Sequence, residues 1–356
     1  MMRRRPDPRW QQVRDDRRGF SLPELLIAVT ILLVISGTVT SGIMQVVNSF
    51  RTISNRTALH AGVRSATEVL QQEVGQAGRV AMPGTATLAS DVAAGAATVG
   101  VNMVISSSLC SSNGTSVPCV SGLFVGEWLA IDSGANRESV QLTAVDTGAK
   151  QIAATFTLPH SAGARVSTIG GFPSGIVPNQ YWNGAAWVAY PNGSDGSHLK
   201  LFGDVAGDGK MQYVEYTCDT TNANTALRNL YRNVMAFDAG SKPVLTASQV
   251  LLRNVAPNPG GTACFTYMPS PLPYITAMTD AGCNCAQSFV LDVAITLTVN
   301  TQLIDPITRR VQTETKALLN VSPRNVFQVW QLAATNLSQN NDRIQPMPTT
   351  VKALLP

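Results

Sequence analysis

Near its N-terminus the chain reads GFSLPELLIAVTILLVI at residues 19–35. From residue 20 to residue 47 the only charged side chain is that of Glu24. About 20 apolar residues suffice for a helix to cross the hydrocarbon core of a bilayer. A secretory signal peptide has a shorter apolar core, which ends at small residues before its cleavage site. The length of this apolar run therefore predicts a retained transmembrane helix over residues 20–47.

The net charge of the chain is concentrated in front of this helix. The formal charge of +4 lies entirely in residues 1–19, which contain seven arginines and three aspartates. Basic residues that flank an apolar span stay on the cytoplasmic side. Residues 1–19 are thus predicted to be a cytoplasmic leader, with the rest of the chain beyond the membrane. Because that remainder is neutral, we expect no direct contact with nucleic acid.

Behind the apolar run the pattern becomes that of an amphipathic helix. Apolar residues recur three or four positions apart from Leu59 to Ala77, with charged residues between them. Such spacing places them on one face of a helix, where they pack against a partner. Gly78, followed by Pro83, indicates the end of the helix. The sequence predicts an amphipathic helix over residues 48–79 that continues the transmembrane helix.

Farther along, apolar and polar residues alternate as they do in half-buried strands. The clearest alternations cover residues 139–145, 151–158 and 291–299. A stretch rich in Gly, Asn, Ser and Pro at residues 170–197 separates two β regions. We therefore expect an α+β fold, in which the long N-terminal helix packs on an antiparallel β-rich head.

The head is expected to have three parts. An inserted β module is predicted over residues 80–170 and the main β head over residues 171–325. The last segment, residues 326–356, contains fourteen polar or charged residues and three prolines. This composition predicts a peripheral tail.

The arginine-rich leader, Gly19 and the sequence FSLPELL at residues 20–26 together resemble the type IV prepilin motif. Pilins and type II secretion pseudopilins share this motif. The resemblance implies that prepilin peptidase cuts after Gly19 and methylates the new amino group of Phe20, which becomes N-methylphenylalanine. It also implies that Glu24 pairs with the Phe20 ammonium group of a neighbouring subunit during assembly. An opposite charge would offset the cost of placing this carboxylate in the membrane.

Two further stretches resemble PilW-type minor pilins and the related larger pseudopilins. They are residues 59–79, which end in QAGR, and the sequence SPRN at residues 322–325. The resemblance implies a pilin-like fold and a minor pilin that assembles or primes a type IV pilus and contributes to adhesion. The implied partners are prepilin peptidase, other major and minor pilins, and the inner membrane. The head would lie in the periplasm and later on the pilus at the cell surface.

Two alternative functions fit the same sequence. One is a type II secretion pseudopilin of the larger, J-like kind. The other is a membrane-anchored extracytoplasmic binding module whose anchor never assembles.

All six cysteines follow the transmembrane helix, and an even number in an oxidising compartment favours disulfides. Cys110 and Cys119 flank a loop rich in Ser, Asn and Gly, and this arrangement predicts that they pair. The other four are Cys218, Cys264, Cys283 and Cys285. Cys283 and Cys285 are too close in sequence for an unstrained mutual bridge. Each is expected to pair with Cys218 or Cys264, and the connectivity is left open.

One loop, DVAGDGKMQYVE at residues 204–215, partly matches a twelve-residue calcium loop. Asp204, Asp208 and Glu215 take its ligand positions 1, 5 and 12, but Ala206 stands at position 3 in place of Asp or Asn. A hairpin turn rich in Gly and Asp is the alternative interpretation. Calcium is the one candidate cofactor, and no other is expected.

The sequence lacks the common catalytic motifs. It contains neither HExxH nor GxSxG, so a zinc protease or an α/β-hydrolase would miss its usual parts. The three histidines, His60, His160 and His198, are far apart in sequence and are expected at the surface. We therefore expect a structural protein and not an enzyme.

Overall fold

The structure is a computed structural model that describes residues 20–105, 116–173, 175–183, 185–269, 279–280, 285–286, 289–334 and 343–356. The chain folds as two compact units. One unit contains the N-terminal helical residues through Ser54 together with Asp305–Arg310. The other contains residues 55–304 and 311–356.

The first element is α1 (Leu22–Gln76), an uninterrupted helix of 55 residues. Its second half buries one face, as the apolar spacing predicts; the buried apolar residues are Leu59, Val63, Ala66, Leu70 and Val74. The helix is followed by Gly78, whose φ of 80° lies in the left-handed region that glycine tolerates best. A Cβ at this position would lie 2.8 Å from Cγ2 of Val326. The predicted end of the helix near Gly78 is confirmed.

Seven strands form the first sheet, and all of its pairings are antiparallel. The strands are β1 (Thr85–Leu88), β2 (Gly95–Val104), β3 (Ser116–Pro118), β4 (Trp128–Ile131), β5 (Glu138–Asp146), β6 (Gln151–Phe156) and β7 (Arg165–Thr168). They follow the order β1-β7-β4-β5-β6-β2-β3, and β1 also pairs with β2. This extra pairing closes a barrel, whose interior is filled by side chains such as Val99, Leu129 and Phe156.

The main head contains two larger antiparallel sheets. A short hairpin, β8 (Gln180–Trp182) and β9 (Trp187–Ala189), comes before them. The first sheet has the order β10 (His198–Gly203), β11 (Gln212–Cys218), β12 (Asn229–Ala236) and β13 (Val250–Arg253). In the second sheet β18 (Val290–Asn300) pairs with β14 (Val255–Ala256), β15 (Phe265–Pro269) and β19 (Thr313–Val321). A two-stranded ladder joins β16 (Thr279–Asp280) to β17 (Cys285–Ala286).

The buried face of α1 packs against both sheets of the head. Leu70 and Val74 share one apolar core with Val214 of β11 and with Ile295 and Leu297 of β18. The predicted strands at residues 139–145, 151–158 and 291–299 are confirmed as β5, β6 and β18. The predicted α+β fold, with its long helix, antiparallel head and inserted β module, is therefore confirmed.

The C-terminal segment is packed, and its prediction as a peripheral tail is wrong. It contains α2 (Arg324–Ala334) and α3 (Thr349–Leu354). Val326 and Val329 are buried beside Phe289, and the apolar residues of α3 join a second, aromatic-rich core. Apolar residues are frequent in both short helices, and this allows one side of each helix to be buried.

One side chain ties this segment to the barrel. Gln345 is fully buried. Its Nε2 donates to the carbonyl oxygens of Trp128 at 2.8 Å and Ile169 at 2.7 Å, and its Oε1 accepts from Trp128 N at 2.8 Å. Because the amide nitrogen and the amide oxygen both bond to backbone groups, the Gln345 side chain links the C-terminal segment to the barrel much as a paired strand would.

Candidate functional site

The N-terminal end of α1 is built as a weak capping box. Ser21 precedes the helix, and its backbone N and its Oγ lie 3.4 Å and 3.3 Å from Oε2 of Glu24. Pro23 fits in the first turn because an N–H there has no acceptor inside the helix. A Glu three residues after a Ser is the usual partner in such a box. Glu24 is thus satisfied within its own chain by long, exposed hydrogen bonds that another donor can replace.

The surface of α1 around this point is apolar on all sides. Phe20 is 80% exposed, and large aliphatic side chains are exposed along the helix as far as Ile53. The most apolar 18-residue window of α1 has none of its residues buried. In the part of the chain that the structure describes, α1 is the one helix long and apolar enough to cross a membrane. Such a surface requires lipid or other helices around it.

Residues 14–40 match the family model of the prokaryotic N-terminal methylation motif. The motif indicates a type IV pilin or pseudopilin that prepilin peptidase processes. The matched residues include the predicted cleavage position after Gly19, together with Phe20, Glu24 and the first turns of α1. No curated protein and no solved structure matches this chain. The prepilin motif and the exposed apolar surface of α1 both fit a single membrane anchor.

The structure describes two of the three residues predicted for processing and assembly. Gly19 lies outside the described residues, whereas Phe20 and Glu24 lie on either side of the first helical residue, Leu22. The backbone of Ser21 already takes part in the helix, because its carbonyl oxygen accepts from Leu25 N at 3.1 Å. The helix therefore begins at Leu22, two residues after Phe20, the residue predicted to become the mature N-terminus.

The three side chains of the predicted calcium loop are not grouped together in the structure. Asp204 is fully buried, and its Oδ2 accepts a hydrogen bond from Gly209 N at 3.2 Å. The same oxygen lies 3.5 Å from Nε of Arg79. Asp208 instead lies at the surface, with its Oδ2 4.0 Å from Nζ of Lys210. Among the residues that the structure describes, no three His, Cys, Asp or Glu side chains are grouped so as to hold a metal ion.

The third proposed ligand, Glu215, has other partners. It lies in β11, where Tyr213 Oη donates to its Oε2 at 2.7 Å and Lys242 Nζ donates to the same oxygen at 2.6 Å. A calcium loop needs its last ligand at the start of an exit helix. Residues 212–218 form a strand instead. In this strand the Glu215 side chain is buried and bonded to Tyr213 and Lys242.

The structure corrects the expected cysteine pairing. Cys218 is bonded to Cys264, so the prediction that Cys283 and Cys285 each pair with one of them is wrong. Both cysteines lie beside residues 196 and 197. Cys218 N donates to Ser197 O at 2.8 Å, and Phe265 N, next to Cys264, donates to Gly196 O at 3.1 Å. The bond thereby links the end of β11 to the start of β15, in different sheets.

The other cysteines are only partly described. Cys119 is buried and disulfide-bonded. Its predicted partner, Cys110, lies outside the described residues, as does Cys283. The predicted bond between Cys110 and Cys119 stays a prediction.

His160 is buried, contrary to the expectation that it lies at the surface. Its Nε2 is 2.6 Å from Oε1 of Glu138 and its Nδ1 is 3.4 Å from Oδ2 of Asp132. Burial raises the pKa of Glu138, but hydrogen bonds from Thr157, His160 and the Leu158 amide outweigh it, so the pKa is lowered. The charged carboxylate and the imidazole form a polar cluster at one end of the barrel. Glu138 is the first residue of β5, whereas Asp132 and His160 come from irregular segments, and strand periodicity does not reveal that they meet.

The sequence also gave no sign of a buried ion pair between α1 and the head. Glu73 lies on the helix among charged residues, yet it is buried against Tyr216 and Arg232. Burial, followed by the charge of Glu73, raises the pKa of Tyr216, so its hydroxyl stays a donor. The signal in the sequence is the position of Glu73 directly before Val74, which places Glu73 near the edge of the apolar face of the helix.

A second buried carboxyl, Glu127, lies just before β4. Its Oε2 accepts a hydrogen bond from Phe124 N at 3.2 Å, whereas its Oε1 has no partner among the described residues. Burial raises the pKa of Glu127 well above its usual range, and the Phe124 amide opposes this only in part. The folded protein thus keeps a proton on Glu127 at pH values where the unfolded chain has released it.

Glu127→Gln should remove a pH dependence of stability. Below the ordinary glutamate pKa both states are protonated and Glu127 has no effect. Between that pH and the raised pKa of the folded state, the wild-type free energy of unfolding falls by about 1.4 kcal/mol per pH unit. Because Gln carries no titrating proton, the variant should lack this fall and be more stable than wild type at neutral pH.

The measurement is urea denaturation of the full-length protein in detergent at several pH values. Glu68→Gln, a change at an exposed carboxylate of α1, serves as the control and should follow the wild-type profile. Parallel profiles for wild type and Glu127→Gln would show that Glu127 is charged in the folded protein, contrary to this assignment.

Proposed function

We propose that this protein is a minor pilin that is incorporated into a type IV pilus and takes part in its assembly or priming. The prepilin motif at residues 14–40 carries this proposal. Support comes from the fold, in which a long helix with an exposed apolar half continues into an antiparallel β head. Such a subunit needs no catalytic step, because its function is to bind other subunits.

In this proposal the leader orients and then releases the subunit. The arginines of residues 1–19 hold the N-terminus in the cytoplasm, and the head lies in the periplasm. Prepilin peptidase removes the leader after Gly19 and methylates Phe20. Since the net charge of the chain lies in residues 1–19, the mature protein has balanced side-chain charges.

Assembly exchanges one set of contacts for another. The long hydrogen bonds from Ser21 to Glu24 give way to an ion pair with the Phe20 ammonium group of a neighbour, which is charge-assisted and stronger. The exposed apolar surface of α1 exchanges lipid contacts for helix contacts. The head then lies on the pilus, where its exposed faces contribute to adhesion.

The second candidate is a J-like type II secretion pseudopilin, because pseudopilins share the same motif with pilins. It predicts that the protein fractionates with the secretion machinery instead of with pili. A membrane-anchored binding module that never assembles is the third candidate, and its activity would not require Glu24.

Glu24→Ala should abolish incorporation into the filament while leaving processing intact. The loss of an ion pair worth more than 1.4 kcal/mol lowers the incorporated fraction about tenfold or more. The measurement is the amount of the protein in sheared pili relative to the membrane fraction. Mass spectrometry of the membrane-bound variant should still find N-methylphenylalanine at residue 20.

Glu68→Ala is the matched control, because it removes an exposed carboxylate from the same helix outside the motif. It should enter pili normally. Normal incorporation of Glu24→Ala would contradict the assembly role, and a retained leader in the wild-type protein would contradict the processing step.

A further inference from the structure

The connection between β18 and β19 forms a turn that is held against α1. Asp305–Arg310 belong to the same compact unit as the helical residues through Ser54. The Thr52 side chain hydrogen-bonds to the carboxylate of Asp305, which is buried. The same carboxylate accepts from the backbone N–H groups of Ile307 and Thr308, each at 2.8 Å. The Thr52 contact places the turn beside the helix, and the two amide hydrogen bonds stabilise the turn itself.

The outer side of this fixed turn is apolar and basic. Ile307 is 60% exposed, and Leu303 and Ile304 just before the turn are also exposed. Turns are usually made of small or polar residues, so three large aliphatic side chains within five positions need an apolar partner. Arg309 and Arg310 are exposed next to them. The only acid of the turn, Asp305, is turned inward, which leaves the outer side positively charged.

The position of the turn along α1 corresponds to the membrane surface. The hydrocarbon core takes about 20 residues of helix, and the run without a charge other than Glu24 ends at Phe50, directly before Arg51. Thr52 is two residues beyond Phe50, about 3 Å along the helix axis. The headgroup layer on each side of a bilayer is about 5–8 Å thick, so Thr52 falls within it. Phe50 and Arg51 on the helix are exposed at the same level.

We propose that the turn Asp305–Arg310 is a lipid contact, in which Ile307 enters the headgroup layer and Arg309 and Arg310 bind anionic phospholipid headgroups. Aliphatic side chains beside arginines are typical of segments that lie in a membrane interface. Because the turn and the end of the apolar helix belong to one unit, membrane insertion of α1 brings the turn to the surface of the bilayer. This inference depends on the membrane anchor and not on the identity of the filament.

The test uses a photoreactive benzoylphenylalanine at residue 307 of the full-length protein. The protein is reconstituted in vesicles of phosphatidylcholine and phosphatidylglycerol in equal parts, and adducts are identified by mass spectrometry. The expected result is a lipid adduct at residue 307. The same probe at Val244, which is 83% exposed in the head, should give only background. The probe at Val34, inside the anchor, should give a strong lipid adduct.

The charge of the arginines is tested in the same system. Changing Arg309→Gln and Arg310→Gln should lower the adduct yield at residue 307 by about fivefold for each arginine. Vesicles of phosphatidylcholine alone should lower the yield for the unchanged arginines to a similar extent. Both substitutions are at exposed side chains, so the adduct at Val34 should not change.

Three results would overturn the proposal. One is a yield at residue 307 no higher than at Val244 while Val34 reacts with lipid. Another is an adduct to a second copy of the chain in place of lipid, which would identify the turn as a subunit interface. The third is a lipid adduct that does not respond to Arg309→Gln and Arg310→Gln or to phosphatidylglycerol. Failure of the Val34 probe to react would instead contradict the membrane anchor, and the lipid contact with it.

Discussion

Glu73→Ala lowers the free energy of unfolding by about 3 kcal/mol. Breaking a buried ion pair by removing one partner typically costs 3–5 kcal/mol. The lower end of that range applies because the Arg232 side chain is 32% exposed, so water compensates part of the loss. The effect is large because one carboxylate on α1 serves two side chains of the neighbouring sheet.

The contacts of Glu73 explain this size. Arg232 Nε lies 3.0 Å and 3.1 Å from the two carboxylate oxygens, and Arg232 Nη2 bonds to Oε1. The buried Tyr216 hydroxyl donates to Oε2. Removing the carboxylate leaves a half-buried guanidinium and a buried hydroxyl without their acceptor. Glu73→Gln keeps an acceptor for Tyr216 and should cost less, about 1–2 kcal/mol.

The measurement is urea denaturation of the full-length protein in detergent, followed by the β-sheet signal in circular dichroism. Glu68→Ala is the control on the same helix. Glu68 bonds to Arg64 at 2.7 Å, but both side chains are mostly exposed. Such a surface pair contributes little to stability, because water screens it. Equal effects of Glu73→Ala and Glu68→Ala would contradict a buried ion pair between α1 and the head.

Removing the disulfide by Cys218→Ala and Cys264→Ala lowers the free energy of unfolding by about 3–4 kcal/mol. The two cysteines are 46 positions apart, and a cross-link of this span restricts the unfolded chain by about 4 kcal/mol in the chain-entropy model. Both cysteines are buried in the core shared by α1 and the two sheets. The bond therefore joins the sheets at the place where the helix packs.

The double variant and the wild type are compared by the same urea denaturation, without reductant. Each single variant also breaks the cross-link, so each should lose nearly as much stability as the double variant. A double variant within about 1 kcal/mol of wild type, below the usual range for a native disulfide, would contradict the stabilising role. Peptide mapping without reduction should find Cys218 linked to Cys264 in the wild type.

Local patterns predicted the parts of this fold that depend on neighbours in sequence. The apolar run and the spacing from Leu59 to Ala77 predicted α1, because helix periodicity and membrane thickness act on contiguous residues. Alternation predicted β5, β6 and β18 for the same reason. The N-terminal motif was recognisable without the fold, since it consists of contiguous residues.

Contacts between distant residues were not predictable in this way. Closure of the barrel depends on β1 pairing with both β2 and β7, and a strand pattern does not state its partners. The calcium loop had several ligands at suitable spacing, but Lys242 and the strand conformation of Glu215 removed one of them. The C-terminal segment looked peripheral because of its prolines and polar residues, whereas Gln345 is buried through hydrogen bonds that composition does not reveal.

The sequence by itself determined where the chain is anchored, which residues carry the processing signal, and that a long helix continues into an antiparallel head. Those properties follow from hydrophobicity and local periodicity within a single stretch of chain. Only the tertiary structure decided the pairing of Cys218 with Cys264, the burial of Glu73 against Arg232, and the place of the Asp305–Arg310 turn beside Thr52. Each of these joins residues far apart in sequence, and their proximity arises only when the sheets and α1 pack together.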